Sequence, residues 1–282
     1  TCTLASHTSG GCINSVKNSV SQFRYFNNLE TAMEWMAPPL YATSTSPYTK
    51  GCNTFEQVPG RGGQMLHLAP DVIHNIGPHE GCFKSARAKF IGLKGSNHTI
   101  IDCNHHRCFS SGYVKKTDQW MFPSVIEGIT FTNGSSTEHG GYLYIHGFSD
   151  TLGIKIRDVV FKNGHANIVG GAIFIEHCYL LNGFPESSIT ISATFIKNYA
   201  GEYGGSIGIL SSDAVIIDQS KFISSSSGNA GGAILIGPLK KRGSIHLNDP
   251  CSINSCVCNE DVYGICNMKD KDLVYSSEEL HT

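Results

Sequence analysis

Short apolar runs that alternate with polar residues recur between residues 88 and 253. Asn, Gly and Ser separate these runs, and the runs lack the 3.6-residue period of a helix, so the pattern predicts strands joined by turns. A longer unit repeats four times, and its register is marked by Phe131, Phe161, Phe195 and Phe222. The unequal spacing of these phenylalanines indicates that insertions fall in the turns.

A single unit of this kind cannot bury its apolar face alone, but stacked units can. Stacking predicts two interior columns, which are Ile126, Ile156, Ile191 and Ile217, and Leu143, Ile173, Ile207 and Ile234. The Gly-Gly pairs that begin at 140, 170, 204 and 231 suit corners where the backbone needs positive φ or lacks room for a Cβ. The predicted fold class is all-β, a right-handed parallel β-helix (solenoid) over residues 55–253.

Asparagines follow the phenylalanines by two or three residues, at Asn133, Asn163 and Asn198. Asn enters the left-handed conformation readily, and we expect these amides to stack inside the rod as a ladder. Asn97 and Asn133 also begin N-glycosylation acceptor triplets. Because an amide that points inward cannot carry a glycan, Asn97 is the better predicted acceptor.

The motif F-x-N or F-x-x-N followed by GGA-I-x-I resembles the repeat of chlamydial polymorphic outer-membrane proteins and related pectate-lyase-like β-helices. The stretch from LHLAPDVIHN to HHRCF resembles the opening coils of such domains. The resemblance covers about residues 55 to 253, and the chain departs from the repeat at Tyr142, Ser206 and Ser225. It implies the fold and leaves the function open between surface adhesins or coat proteins and polysaccharide-cleaving enzymes.

The two ends differ from the repeats. Residues 13–37 place apolar side chains at helical spacing, so we expect residues 1–54 to form a cap with a short amphipathic helix or helix pair over the terminal rung. Residues 254–282 are a predicted Cys-rich tail. Cys251, Cys256, Cys258 and Cys266 follow C-x4-C-x-C-x7-C, and the last three resemble part of an epidermal-growth-factor-like module.

Eleven cysteines beside only 16% charged residues favour an oxidising compartment, so we expect an extracellular or cell-surface protein with disulfides. Cys103 and Cys108 are close enough to close a small loop, and Cys251, Cys256, Cys258 and Cys266 are further disulfide candidates. The 21 basic and 23 acidic residues build no positive face, which argues against nucleic acid as a partner. The sequence contains no stretch of 18 apolar residues, so it predicts no membrane-spanning helix.

Catalysis on a β-helix needs carboxylates gathered on neighbouring rungs, with a basic residue beside them. Aligned outward columns read Glu127, Arg157, Ser192 and Asp218, then Gly128, Asp158, Ala193 and Gln219, and neither stacks two carboxylates. Lys155, Arg157 and Asp158 are the nearest to a catalytic cluster, with Arg157 expected to pair with Glu127. We predict no catalytic site, no cofactor and no metal.

The thirteen histidines do not form a column. His146 aligns with Glu176 and Leu210, and His139 aligns with Val169 and Tyr203, so we interpret them as scattered surface residues. Zinc on the C-terminal cysteines is disfavoured because paired C-x-x-C motifs are missing.

An outward column of mainly apolar residues follows the Gly-Gly pairs, at Tyr144, Phe174, Gly208 and Leu235. A segment of the chain, a protein partner or a sugar ring could cover this binding stripe. We therefore expect a non-catalytic structural or adhesive module that assembles along the rod or with protein partners, as part of a larger assembly or filament. The alternative is a pectate-lyase-like enzyme or a carbohydrate-binding protein.

Overall fold

The structure is a computed structural model, and it describes a set of separate segments of the chain. Continuous segments cover 65–76, 89–114, 119–121, 123–147, 153–178, 188–212, 215–229 and 231–237, with residue 29 and isolated strands at 2–4, 24–26, 81–83, 244–248, 252–254, 264–265 and 274–276. Most of the predicted helical cap lies outside these residues, although a strand at Arg24–Phe26 falls within it. Cys251, Cys256, Cys258 and Cys266 also lie outside the described residues.

The described part of the chain is built from strands and turns. The first thirteen strands are β1 Cys2–Leu4, β2 Arg24–Phe26, β3 Met65–Leu68, β4 Val72–Asn75, β5 Gly81–Phe83, β6 Lys89–Gly92, β7 Thr99–Asp102, β8 Phe109–Val114, β9 Gln119–Met121, β10 Val125–Thr132, β11 Ser135–Ser136, β12 Leu143–His146 and β13 Ile154–Lys162. The others are β14 His165–Ala166, β15 Ile173–Glu176, β16 Ile189–Ile196, β17 Tyr199–Ala200, β18 Ile207–Leu210, β19 Val215–Asp218, β20 Lys221–Ile223, β21 Ser226–Ser227, β22 Ile234–Ile236, β23 Ser244–Asn248, β24 Ser252–Asn254, β25 Gly264–Ile265 and β26 Val274–Ser276. Within the described residues, no helix is long and apolar enough to cross a membrane.

Successive coils stack their equivalent strands in parallel, which confirms the all-β parallel solenoid. Strands β10, β13, β16 and β19 are neighbours in one sheet, β11, β14, β17 and β21 form a second, and β12, β15, β18 and β22 belong to a third. Both predicted interior columns are confirmed, because Ile126 pairs with Ile156 in the first sheet and Leu143 pairs with Ile173 in the third. Their continuations through later coils are also paired and buried.

The four phenylalanines that mark the register of the repeat stack their rings through the interior. The ring centroids of Phe131 and Phe161 are 5.3 Å apart, those of Phe161 and Phe195 are 5.1 Å apart, and Phe222 follows at 4.7 Å from Phe195. All four side chains are fully buried. Consecutive coils therefore pack against each other through these large apolar side chains.

The Gly-Gly pairs form the predicted corners. Gly140 and Gly170 have φ values of +61° and +69°, a conformation that residues with a Cβ rarely adopt. The second glycine of the pair is confined by space: a Cβ on Gly141 or Gly171 would lie closer than 3.0 Å to a backbone oxygen of the next coil. Glycine is thus required at both positions for different reasons.

The strand register in the first sheet shifts at Asp158, which corrects the predicted outward column. The pairing between β13 and β16 shifts between Arg157 and Val159, and Ala193 lies opposite Val159. Asp158, with φ of +48°, is an extra outward residue that β16 lacks. The column that placed Asp158 beside Ala193 was therefore wrong, because it assumed equal residue numbers in each coil.

The predicted asparagine ladder was also wrong. Asn133 and Asn163 have the expected left-handed φ values of +55° and +62°, but their side chains are exposed. Gly134 and Gly164 hold the inward position, because the ring of Tyr142 fills the space that a side chain would need. Because the Asn133 side chain does not point inward, the argument against a glycan on Asn133 no longer holds. Asn97 is exposed too.

Asn198 differs from the two exposed asparagines. Asn198 aligns with Gly164, one position later than Asn163, and its side chain is buried. Its Oδ1 accepts a hydrogen bond from the Gly164 N–H at 2.8 Å, and its Nδ2 donates to the Phe161 carbonyl at 3.1 Å. It closes the space next to Gly164 and satisfies two backbone groups of the neighbouring coil.

Candidate functional site

The charged residues that come nearest to a catalytic cluster in the sequence have separate surroundings in the structure. Arg157 donates to Glu127 Oε2 at 2.7 Å between adjacent coils, as expected, and the pair is largely exposed, so its contribution to stability is at most about 1 kcal/mol. Asp158 accepts hydrogen bonds from the N–H and Oγ of Ser96 at 3.2 and 2.9 Å. Lys155 is exposed on β13. Arg157 and Asp158 therefore face different partners.

The predicted binding stripe forms a small cluster on the outside of the third sheet. Phe174 and Leu235 are only 1% and 9% exposed, while Tyr144 is half-buried. Val169, which precedes a glycine corner, packs into the same cluster, and the ring of His139 stacks on Phe174 at a centroid distance of 4.4 Å. The centre of the stripe is thus covered by neighbouring segments of the same chain.

Polar groups gather at the end of this cluster, where β12 and β15 finish. His146 lies opposite Glu176, Tyr144 lies opposite Phe174, and His177 follows Glu176 directly. We call Tyr144, His146, Glu176 and His177 the His–Glu cluster. Alternation along each strand sends Tyr144 and His146 to the same outer face, so the parallel register brings them beside Glu176.

Glu176 is the centre of the His–Glu cluster. Its Oε1 accepts a hydrogen bond from the Tyr144 hydroxyl and lies 2.8 Å from His146 Nδ1. Its Oε2 lies 3.7 Å from Nδ1 of His177. The rings of His146 and His177 are 5.3 Å apart between centroids. One carboxylate therefore contacts three side chains that can donate a proton or bind an ion.

The cluster is partly withdrawn from solvent, with side-chain exposures of 23% for His146, 20% for Glu176 and 50% for His177. Burial alone would raise the pKa of Glu176, but hydrogen bonds from His146 and Tyr144 outweigh it, and the net pKa is lowered. Burial, followed by the hydrogen bond to Glu176, raises the pKa of Tyr144. The arrangement therefore favours an ionised carboxylate beside a neutral phenol.

Arg107 supports the cluster from the preceding coil. Its Nε donates to the carbonyls of His139 and Gly140 at 2.9 and 3.0 Å, and a terminal nitrogen donates to Ser136 Oγ at 2.8 Å. The guanidinium carbon lies 5.0 Å from the ring centroid of Tyr144, a cation–π distance. Arg107 therefore binds the backbone of the Gly-Gly corner at Gly140 and packs on the ring of Tyr144 at the same time.

Cys103 and Cys108 form the predicted disulfide, with a Cα–Cα distance of 4.9 Å. The bond closes the short turn that contains Arg107. It thereby constrains the segment that supports Tyr144.

The sequence pattern did not reveal the His–Glu cluster as a unit. The repeat aligned His146 with Glu176 correctly, as the strand register confirms. It did not include His177, because that residue lies one position beyond the strand. His177 has a left-handed backbone, with φ of +53°, and the alignment of strand columns does not predict the conformation of a turn residue.

No family model, curated protein or solved structure matches the chain.

Proposed function

We propose that the chain is a secreted or cell-surface structural or adhesive module, non-catalytic and part of a larger assembly or filament. The observation that carries the proposal is the in-register stacking of coils through buried isoleucine and phenylalanine columns. Such stacking makes a rod in which each coil contacts mainly its neighbours and presents repeated outer faces to partners.

The partners that fit this proposal are other protein chains or further copies of this one, bound along the rod. The cysteine content and the exposed acceptor asparagines, Asn97 and Asn133, favour a glycosylated extracellular protein. The resemblance to chlamydial surface repeats supports an adhesive role and stays a prediction.

A second candidate function is a pectate-lyase-like polysaccharide lyase or hydrolase, or a carbohydrate-binding protein. The His–Glu cluster favours it, because His146 Nδ1 and Glu176 Oε1 lie 2.8 Å apart as an acid–base pair, and the half-buried ring of Tyr144 adjoins them. Arg107 lies beside the same ring. A polysaccharide that follows the rod would cross this face.

An assay with polygalacturonate distinguishes the two candidates. We expect the protein to release no reducing ends and no unsaturated products, because the module is proposed to bind without cleaving. Cleavage that disappears in Glu176→Gln, but persists in the control Glu138→Gln on an exposed carboxylate, would replace the structural proposal with the enzyme. Both variants conserve side-chain volume, so folding should be retained.

A further inference from the structure

We propose that His146, Glu176 and His177 bind a divalent transition-metal ion of the Zn²⁺ class. One ligand atom from each residue lies within 4.8 Å of the other two. Two imidazole nitrogens and one carboxylate oxygen are the three-ligand set that zinc takes when it keeps a fourth position open. Such a site goes beyond the structural or adhesive role and does not rest on it.

The donor set distinguishes the ion class. Ca²⁺ and Mg²⁺ prefer cages of oxygen atoms, whereas imidazole suits Zn²⁺ and its neighbours in the first transition row. Here nitrogen outnumbers oxygen, since His146 and His177 each offer one nitrogen and Glu176 offers one oxygen. The ion would bind beside the hydrogen-bonded atoms His146 Nδ1 and Glu176 Oε1, which are 2.8 Å apart.

Tyr144 is the positioning residue of the proposed site. Metal-binding carboxylates and imidazoles are usually oriented by hydrogen bonds from an outer shell. The Tyr144 hydroxyl donates to Glu176 Oε1, and the Tyr144 ring is held between Phe174, at 5.6 Å, and Arg107, at 5.0 Å. The carboxylate therefore has a fixed direction before any ion arrives.

The backbone places His177 where the neighbouring coils carry small residues. Equivalent turns have Gly147 with φ of +63° and Ser211 with φ of +46°, and His177 adopts the same left-handed conformation at +53°. His is enriched in this conformation relative to most residues, but it still costs free energy relative to Gly. A His at this position brings a second imidazole next to Glu176.

The test is titration of the full chain with Zn²⁺ by calorimetry, comparing the unaltered protein with His177→Gly. Glycine matches Gly147 in the previous coil and accepts the positive φ, so the variant should fold. We expect it to lose one bound Zn²⁺ or to bind that ion about tenfold or more weakly. The control His165→Gln, a residue stacked on Tyr199 in the second sheet, should bind Zn²⁺ as the unaltered protein does.

Co²⁺ provides a second readout, because its visible spectrum reports the ligand atoms. We expect bands of nitrogen and oxygen coordination that Glu176→Gln weakens. Unchanged Zn²⁺ stoichiometry and affinity in His177→Gly would overturn the proposal. Intense thiolate charge-transfer bands would also overturn it, since they would place the metal on cysteines instead.

Discussion

Replacement of Phe161 by Ala is expected to lower the free energy of unfolding by about 3–5 kcal/mol. Phe161 is fully buried, and its ring lies between those of Phe131 and Phe195 at 5.3 and 5.1 Å. Removal of the ring leaves a cavity in the middle of the stack, and the parallel strands on both sides limit how far neighbouring coils can close it. Urea denaturation followed by circular dichroism would measure the loss.

The matched control is Phe161→Leu, which keeps an apolar side chain and fills more of the cavity. It should lose less than half as much stability as Phe161→Ala. A loss below about 1 kcal/mol for Phe161→Ala would show that the rings do not couple consecutive coils.

Replacement of Gly171 by Ala is the second large effect, with an expected loss of about 3 kcal/mol. A Cβ at this position would lie closer than 3.0 Å to the carbonyl oxygens of Gly205 and Tyr199. Both atoms belong to the backbone of the next coil, so the strain cannot be relieved by rotating a side chain. The coil would have to move away from its neighbour, which weakens the hydrogen bond from Gly171 N–H to the Gly204 carbonyl.

Gly237→Ala is the control for this substitution. There the added Cβ meets the terminal methyl of Leu210, which can change its rotamer, and we expect a loss of less than about 1 kcal/mol. Thermal unfolding of both variants in the same buffer tests the contrast. Equal losses at Gly171 and Gly237 would contradict the steric explanation of the corner.

Much of the solenoid could be predicted because its interior depends on short-range alternation. Ile126 and Ile156 occupy the same place in consecutive units, and nothing but the period was needed to pair them. The Gly-Gly corners were equally clear, since few residues accept a φ near +60°. Patterns that repeat in every coil can therefore be predicted from the amino-acid sequence.

Features that differ from coil to coil were not predictable in this way. Asp158 is an extra residue in its strand, and the alternation of buried residues on either side of it does not show where the insertion lies. Asn133 and Asn198 share a motif but not a position, because a tyrosine ring in one coil and a buried amide in another fill the same interior space. Packing between coils decides such cases.

The His–Glu cluster was predictable only in part. The shared column of His146 and Glu176 followed from the repeat, and the structure confirms it. The contribution of His177 depends on a left-handed turn, and that of Tyr144 on a hydroxyl that reaches across to the next coil. Site residues of this kind lie where the chain leaves the regular pattern.

The chain is proposed to work as an assembling, non-catalytic rod, and its mass in solution is the property that depends most closely on this role. Light scattering of the purified protein would follow that mass across a concentration series, with and without calcium and polygalacturonate. We predict a mass that rises above the 30.5 kDa of one polypeptide as concentration increases, while the polysaccharide keeps its mass. A single-chain mass at every concentration, together with a falling polysaccharide mass, would contradict the proposal and identify an enzyme.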